Sequence, residues 1–320
     1  MDMTPFPAQD LGHGITCLDT LQERPGMACC YLLERGDDLA FVEAGTSPGV
    51  PRLLAELDAR GLARERVRYV IVTHVHLDHA GGAGLLLSQL PQAKLVVHPR
   101  GARHLIDPSK LIAGATAVYG AEAMAAMYGE IVAAPTERVI APGDGESLPF
   151  GNGELQFIDS PGHARHHFSV WDAESRGFFT GDTFGLSYRD FDDAAGPWLI
   201  PTTTPVQFEP EAWYQTLDRY LSYAPRRMYL THYGEVDQVL LLAERLRAGI
   251  IRYVALARGL AQAPDRHQAI KAALRADLLA DLAARGHRMP VAQVDALLAT
   301  DLELNAQGLG VWLDNQKGSA

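Results

Sequence analysis

The stretch Thr73-His74-Val75-His76-Leu77-Asp78-His79-Ala80-Gly81-Gly82 sets three imidazoles and a carboxylate within six positions. Imidazole nitrogen and carboxylate oxygen are the donors that divalent first-row metals take. An apolar run of strand length, Tyr69 to Val72, leads into the stretch, and a Gly-rich turn leads out of it. We read it as a metal loop that needs further ligands from elsewhere in the chain. Three later positions offer them: His163 in Asp159-Ser160-Pro161-Gly162-His163, Asp182 in Thr180-Gly181-Asp182, and His232 in Thr231-His232.

Those residues must be held by strands. Val67–Val72 is a near-continuous apolar run, as expected of a strand covered on both faces. Val50–Arg60, with Leu53, Leu54 and Leu57 on one face and Gly61 at the C-terminal cap position, reads as a helix. Leu85–Leu90 reads as another, stopped by Pro91, and Lys94–Val97 as the next strand. Upstream, Gly14–Leu18, Ala28–Leu33 and Asp38–Val42 give an all-β opening. Strand and helix then alternate, which is the grammar of parallel crossovers, and such units carry their polar residues at the C-terminal strand ends. The metal loop follows one such end. Glu154–Ile158, Gly177–Thr180 and Arg227–Leu230 read as three more strands, each ending in one ligand-type side chain.

Composition limits the function classes. At 320 residues, 47% hydrophobic and 21% charged, the chain has enough apolar sequence for a large core or a core with an attached smaller domain. A net charge of −11 argues against a nucleic-acid partner, because phosphate recognition wants clustered Lys and Arg. No basic-then-apolar leader opens the sequence and no run has membrane-span length, so the expectation is a cytoplasmic protein with a small-molecule substrate and no membrane partner. A homodimer is compatible with the sequence. Cys17, Cys29 and Cys30 are odd in number and lack C-x-x-C spacing, so they read as buried thiols.

The motifs His74-x-His76-x-Asp78-His79, Pro161-Gly162-His163, Thr180-Gly181-Asp182 and Thr231-His232 resemble, in order and spacing, the metallo-β-lactamase-fold hydrolases. The resemblance covers roughly residues 13 to 235. It implies an α/β fold, a four-layer αββα sandwich of two mixed sheets with helices outside. It also implies that His74, His76 and His163 hold a first metal, that Asp78, His79 and His232 hold a second, and that Asp182 bridges them. Asp78 and Asp182 are then the catalytic carboxylates.

Five imidazoles and two carboxylates suit two divalent ions, zinc ranked ahead of iron and manganese. Two ions about 3.5 to 4 Å apart share a water and bring its pKa from about 15.7 toward about 7, so a bridging hydroxide is the expected nucleophile. No Ser, Cys or Lys nucleophile is needed, and no triad or nucleophile-elbow sequence is present. In Phe41-Val42-Glu43-Ala44-Gly45, Glu43 stands where the family commonly has an Asp that orients a metal-bound His. Being one methylene longer, it either holds the ring from a shifted backbone or is a solvated charge at a turn.

Other polar residues carry weaker expectations. His166 and His167 could line the site, with one of the adjacent pair expected to face solvent. His98 is read as structural. Tyr188 and Tyr233 could approach a leaving group, but packed rings with satisfied hydroxyls are the better reading. From about residue 99 to 139 an Ala-rich helical insertion, with Tyr119, Met124, Met127 and Tyr128, could wall a pocket.

The domains are read as a catalytic unit over 1–235 and a C-terminal helical unit over 236–320 packed on it. Stripes at Leu242/Leu246/Ile250/Val254 and Ile270/Leu274/Leu278/Leu282 mark two helices. Asp265 with Gln268 suggests a capping box, and Pro290 opens a third helix carrying Val294, Leu298 and Leu302. Arg245, Arg247, Arg252 and Arg258 read as a solvated face or an anchor for a substrate carboxylate.

A sandwich followed by helices is similar in plan to glyoxalase II-type hydrolases. The expected function is therefore a dinuclear metal-dependent hydrolase that cleaves a thioester or activated ester. A lactonase or a small-molecule phosphodiesterase is the alternative, and a mononuclear iron persulfide dioxygenase is the rival from another class.

Overall fold

The computed structural model describes residues 4–317, apart from the side chains of Val118, Tyr119 and Lys317. Tyr119, expected to help wall a pocket, therefore has its side chain outside the described residues. The chain forms two compact units: Met1–Ser160, His166–Gly181 and Ala224–Asp237 make the first, and Pro161–Arg165, Asp182–Tyr223 and Gln238–Ala320 the second.

The first unit holds two mixed sheets. One has the order β1 (Gln9–Asp10), β2 (Ile15–Asp19), β3 (Cys29–Arg35), β4 (Asp38–Val42), β5 (Val67–Val72), β6 (Lys94–Val97) and β7 (Val139–Ile140). Its first four strands pair antiparallel, and β4 to β7 pair in parallel, as the alternation of strand and helix requires. The other sheet contains β8 (Ser147–Phe150), β9 (Gly153–Asp159), β10 (Phe168–Asp172), β11 (Gly177–Gly181), β12 (Arg227–Leu230) and β13 (Gly234–Val236), in the order β13-β12-β11-β10-β9-β8. Among the described residues, β11 and β12 pair in parallel there and the other neighbours antiparallel.

Strand residues alternate between two cores, as a period of two dictates. Tyr31, Leu33, Ala40, Val42, Ile71 and Val96 meet Phe157, Phe168, Val170, Phe179 and Tyr229 between the sheets. Leu32, Leu39, Phe41, Val70, Val72 and Leu95 face the other way, onto Leu53 and Leu57 of α1 (Val50–Ala59) and Leu86 and Leu87 of α3 (Ala83–Ser88). Both faces of β5 are thus covered, which accounts for its near-continuous apolar run, broken by exposed Arg68. Between α1 and α3 the metal loop contains one turn of helix, α2 (Leu77–Ala80). The insertion folds as α4 (Pro99–Ile106), α5 (Ser109–Tyr119) and α6 (Ala121–Tyr128).

The second unit contains α7 (Pro210–Ser222), α8 (Val239–Gly259), α9 (Arg266–Ala284), α10 (Val291–Leu297) and α11 (Ala299–Lys317). Asp265 caps α9, its side chain accepting from the Gln268 amide at 3.4 Å. The expected third C-terminal helix is two helices. Leu298 leaves helical geometry at φ −106°, ψ 9°, and the bend lets Val294, Leu297, Leu298 and Leu302 all bury. Among the described residues no helix is long and apolar enough to cross a membrane.

Candidate metal centre

In the first unit β5 delivers Thr73 and His74 directly from its end, and both are buried. Glu43 follows β4, the neighbouring parallel strand, and is 1% exposed, so it is not a solvated charge. Its backbone sits in the left-handed region at φ 68°, an uncommon conformation for a side chain of this size. From there the carboxylate reaches three partners. Oε1 accepts from the Thr73 hydroxyl at 2.6 Å, from the Thr231 hydroxyl at 3.1 Å and from His79 Nδ1 at 3.0 Å, while Oε2 accepts from the Thr73 amide at 3.2 Å.

These bonds fix which ring nitrogens carry protons. A carboxylate cannot donate, so His79 holds its proton on Nδ1 and presents an electron pair at Nε2. The Thr73 hydroxyl spends its proton on Glu43, so it accepts from His74 Nδ1 at 3.1 Å, and the electron pair of His74 is also at Nε2. That nitrogen lies 2.8 Å from His76 Nδ1. One buried carboxylate therefore sets the tautomers of two rings.

His232, one residue beyond Thr231, obeys the same rule: its Nδ1 donates to the Met27 carbonyl at 2.7 Å. The Nε2 atoms of His232 and His79 then stand 3.2 and 3.3 Å from Asp78 Oδ2. Ligand-type atoms of Asp78, His79 and His232 all lie within 4.8 Å of one another. Three electron-pair donors this close require a cation, either protons on the rings or a metal, and two imidazoles with a carboxylate form a set that a divalent ion takes. Where ring protons are that cation, desolvation opposes ionisation of Asp78, but attraction to His79 and the hydrogen bond from His232 outweigh it and hold the carboxyl well below the usual carboxylate range.

The second unit carries His163 and Asp182. His163 Nδ1 donates to the Thr202 carbonyl at 3.1 Å, which again leaves the electron pair on Nε2, 3.4 Å from Asp182 Oδ2. Gly162, before the histidine, has φ 138°, and a Cβ there would overlap Trp213. Gly181 ends the first unit's strand β11 just before Asp182. It has φ 48°, and a Cβ on it would overlap Thr73 Oγ1 and His167 Nε2. Glycine is required at both approaches to the ligand-type residues.

Neither His166 nor His167 is turned away to solvent. The His167 ring stacks on His74 with centroids 4.8 Å apart and its Nδ1 pairs with Ser160 Oγ at 2.9 Å, and the His166 ring lies 5.6 Å from His76. The reason is the antiparallel start of β10: the Phe168 amide bonds the Thr73 carbonyl and so draws the preceding residues against the metal loop. His98 is structural, with Nδ1 capping α4 and Nε2 3.0 Å from Asp159. The Tyr188 hydroxyl donates to Asp301 at 3.1 Å, and Tyr233 packs in the core between the sheets. Arg247 and Arg252 form ion pairs with Asp218 and Asp277, and Arg258 lies over the Trp312 ring. All three cysteines are free and buried.

Sequence reasoning missed Thr73 and Thr231. Each stands immediately before a ligand-type histidine, so the repeated Thr-His pair was the available signal.

Residues 24–232 match the model of the metallo-beta-lactamase superfamily. The chain is 28% identical over 221 residues to the metallo-beta-lactamase fold-containing protein ST1585 of Sulfurisphaera tokodaii, a match that spans 67% of this chain and 76% of that protein. It superposes on the crystal structure of ST1585 with a TM-score of 0.64 at 22% identity, covering 93% of this chain and 98% of that one. On the metallo-beta-lactamase family protein TTHA1429 from Thermus thermophilus the TM-score is 0.67 at 20% identity, covering 96% and 95%. These two likenesses show the fold, an α/β sandwich followed by C-terminal helices. With its family model spanning most of the sequence and clusters of His and Asp able to bind metal ions, the chain belongs to the metallo-beta-lactamase superfamily.

Proposed function

We propose that this protein is a dinuclear metal-dependent hydrolase that cleaves a thioester or an activated ester of a small molecule. The convergence of Asp78, His79 and His232, with both rings held at Nδ1 and turning Nε2 toward the carboxylate, carries the reading. Following the family's order of motifs, His74, His76 and His163 would hold one ion, Asp78, His79 and His232 the other, and Asp182 would join them, with zinc ahead of iron and manganese. Bound ions would supply a water of lowered pKa as nucleophile and a Lewis acid for the carbonyl.

The chain's own residues do the positioning. Glu43 keeps the Nδ1 protons on His79 and, through Thr73, on His74, so the rings are oriented before substrate arrives. The Met27 and Thr202 carbonyls do the same for His232 and His163.

The choice of a thioester rests on the leaving group. A thiolate, with a conjugate-acid pKa of about 8.5, departs without a proton donor, whereas an alkoxide needs one. The two phenols considered for that task are engaged elsewhere, Tyr188 on Asp301 and Tyr233 in the core, which favours the thioester over a lactone. The net charge of −11 disfavours a polymeric phosphodiester.

A screen of thioesters, lactones and phosphodiesters against the metal-loaded protein tests the reading. Turnover greatest on thioesters is the expected result. Activity confined to lactones or phosphodiesters contradicts it.

A further inference from the structure

We infer that the helical hairpin of α5 and α6 recognises an apolar acyl group, so that the substrate is a thioester or ester of an uncharged acyl chain several carbons long. The inference rests on the hydrolase reading and adds the substrate's shape to it.

Leu77 carries the argument. It stands between His76 and Asp78, so it belongs to the metal loop itself, and it is 7% exposed. Its side chain joins a small separate cluster with Met124 and Tyr128 of α6, around which Leu111, Ile112 and Met127 pack half-buried.

The hairpin is fastened to the loop at its return. A Cβ on Gly84 would overlap the Val132 carbonyl, one on Gly81 would lie against Ile131, and the Ser47 hydroxyl donates to the Glu130 carbonyl at 2.5 Å. Apolar surface is thereby held rigidly beside the candidate ligands.

The hairpin's composition is the second observation. Between Ser109 and Tyr128 the only charged residues are Lys110 and Glu122. Exposed positions hold Ala113, Ala117, Ala123, Ala125 and Ala126, so the outer surface of the hairpin carries little charge. A substrate group extending from the metal loop past Leu77 meets apolar side chains, two of them adaptable methionines. A charged or strongly hydrated group would lose its water there without a partner, whereas each methylene placed on this surface gains up to about fourfold in affinity.

Titration calorimetry on the full-length, metal-loaded protein with butanoate, hexanoate, octanoate and decanoate tests this. These straight-chain carboxylates are product-like probes whose binding requires no turnover. The expected result is a dissociation constant that falls about two- to fourfold per added methylene. In Ile112→Asp and Met127→Ala that dependence should flatten. Ile112→Ala replaces the aspartate variant if the latter does not fold. Equal affinity for all four carboxylates, or a chain-length dependence unaltered in the variants, overturns the inference. If no thioester is hydrolysed but the chain-length dependence holds, the hydrolase reading fails and the apolar site stands.

Discussion

The Glu43 carboxylate accepts a hydrogen bond from His79 Nδ1 at 3.0 Å while the same oxygen accepts one from the Thr73 hydroxyl at 2.6 Å. One buried acid therefore prepares two of the candidate metal-binding rings. Glu43→Gln keeps the side chain's size but removes its charge and one acceptor. Metal affinity should fall about 10- to 100-fold, the usual effect of losing such a partner, as read by competition against a chelating dye. Affinity equal to the parent's would show that the rings are held by other means.

Gly181 is a tight backbone passage into the site. Gly181→Ala adds a methyl at φ 48° against Thr73 and His167. A loss of about 2–3 kcal/mol in urea unfolding is expected, from left-handed strain and overpacking together. A change smaller than about 0.5 kcal/mol would contradict the close approach.

Tyr188 separates a structural phenol from a catalytic one. Its hydroxyl donates to buried Asp301, so Tyr188→Phe strips that carboxylate of a donor and should cost about 1–2 kcal/mol of stability. Turnover per folded molecule should stay within about twofold. A large fall in kcat with unchanged stability would instead assign the phenol to the leaving group.

Acid sensitivity has an identifiable contributor in the second unit. Arg285 grips Asp193 with two hydrogen bonds, at 2.7 and 2.8 Å, and holds its carboxyl below the usual carboxylate range. A depressed folded-state pKa contributes stability that is present above the ordinary carboxylate value and lost as pH falls through the folded value. Asp193→Asn should therefore cost about 1 kcal/mol at pH 7, an amount that reflects partial exposure of the pair. The difference from the parent should vanish in unfolding curves recorded well below pH 4. A deficit that persists unchanged in acid would mean that the aspartate acts through packing and not through its charge.

The ligand-type residues were legible because each follows an apolar strand run, and the strand ends on which they stand are found where the run stops. Covered faces were legible for the same reason: β5 has no polar alternation because α3 lies over one face and the second sheet over the other. What Glu43 does was not legible, since it depends on a left-handed backbone at one residue, which no pattern of side chains announces. The Thr73 and Thr231 hydroxyls were hidden because they act through a residue about 30 positions from one and 188 from the other. The placement of His166 and His167 depends on a single long-range amide bond from Phe168 to Thr73. The break at Leu298 interrupts a leucine stripe without Gly or Pro to mark it, so periodicity alone ran through it. In contrast, α7 had a readable stripe in Trp213, Leu217 and Tyr220 that no expectation covered.

Metal content per chain, measured by mass spectrometry on the parent and on Asp182→Ala alongside oxygen uptake, tests the central claim most directly. The account predicts close to two divalent ions in the parent, and loss of both metal and turnover in the variant. A single iron with oxygen consumption, or an Asp182→Ala protein with full metal content and turnover, would contradict it.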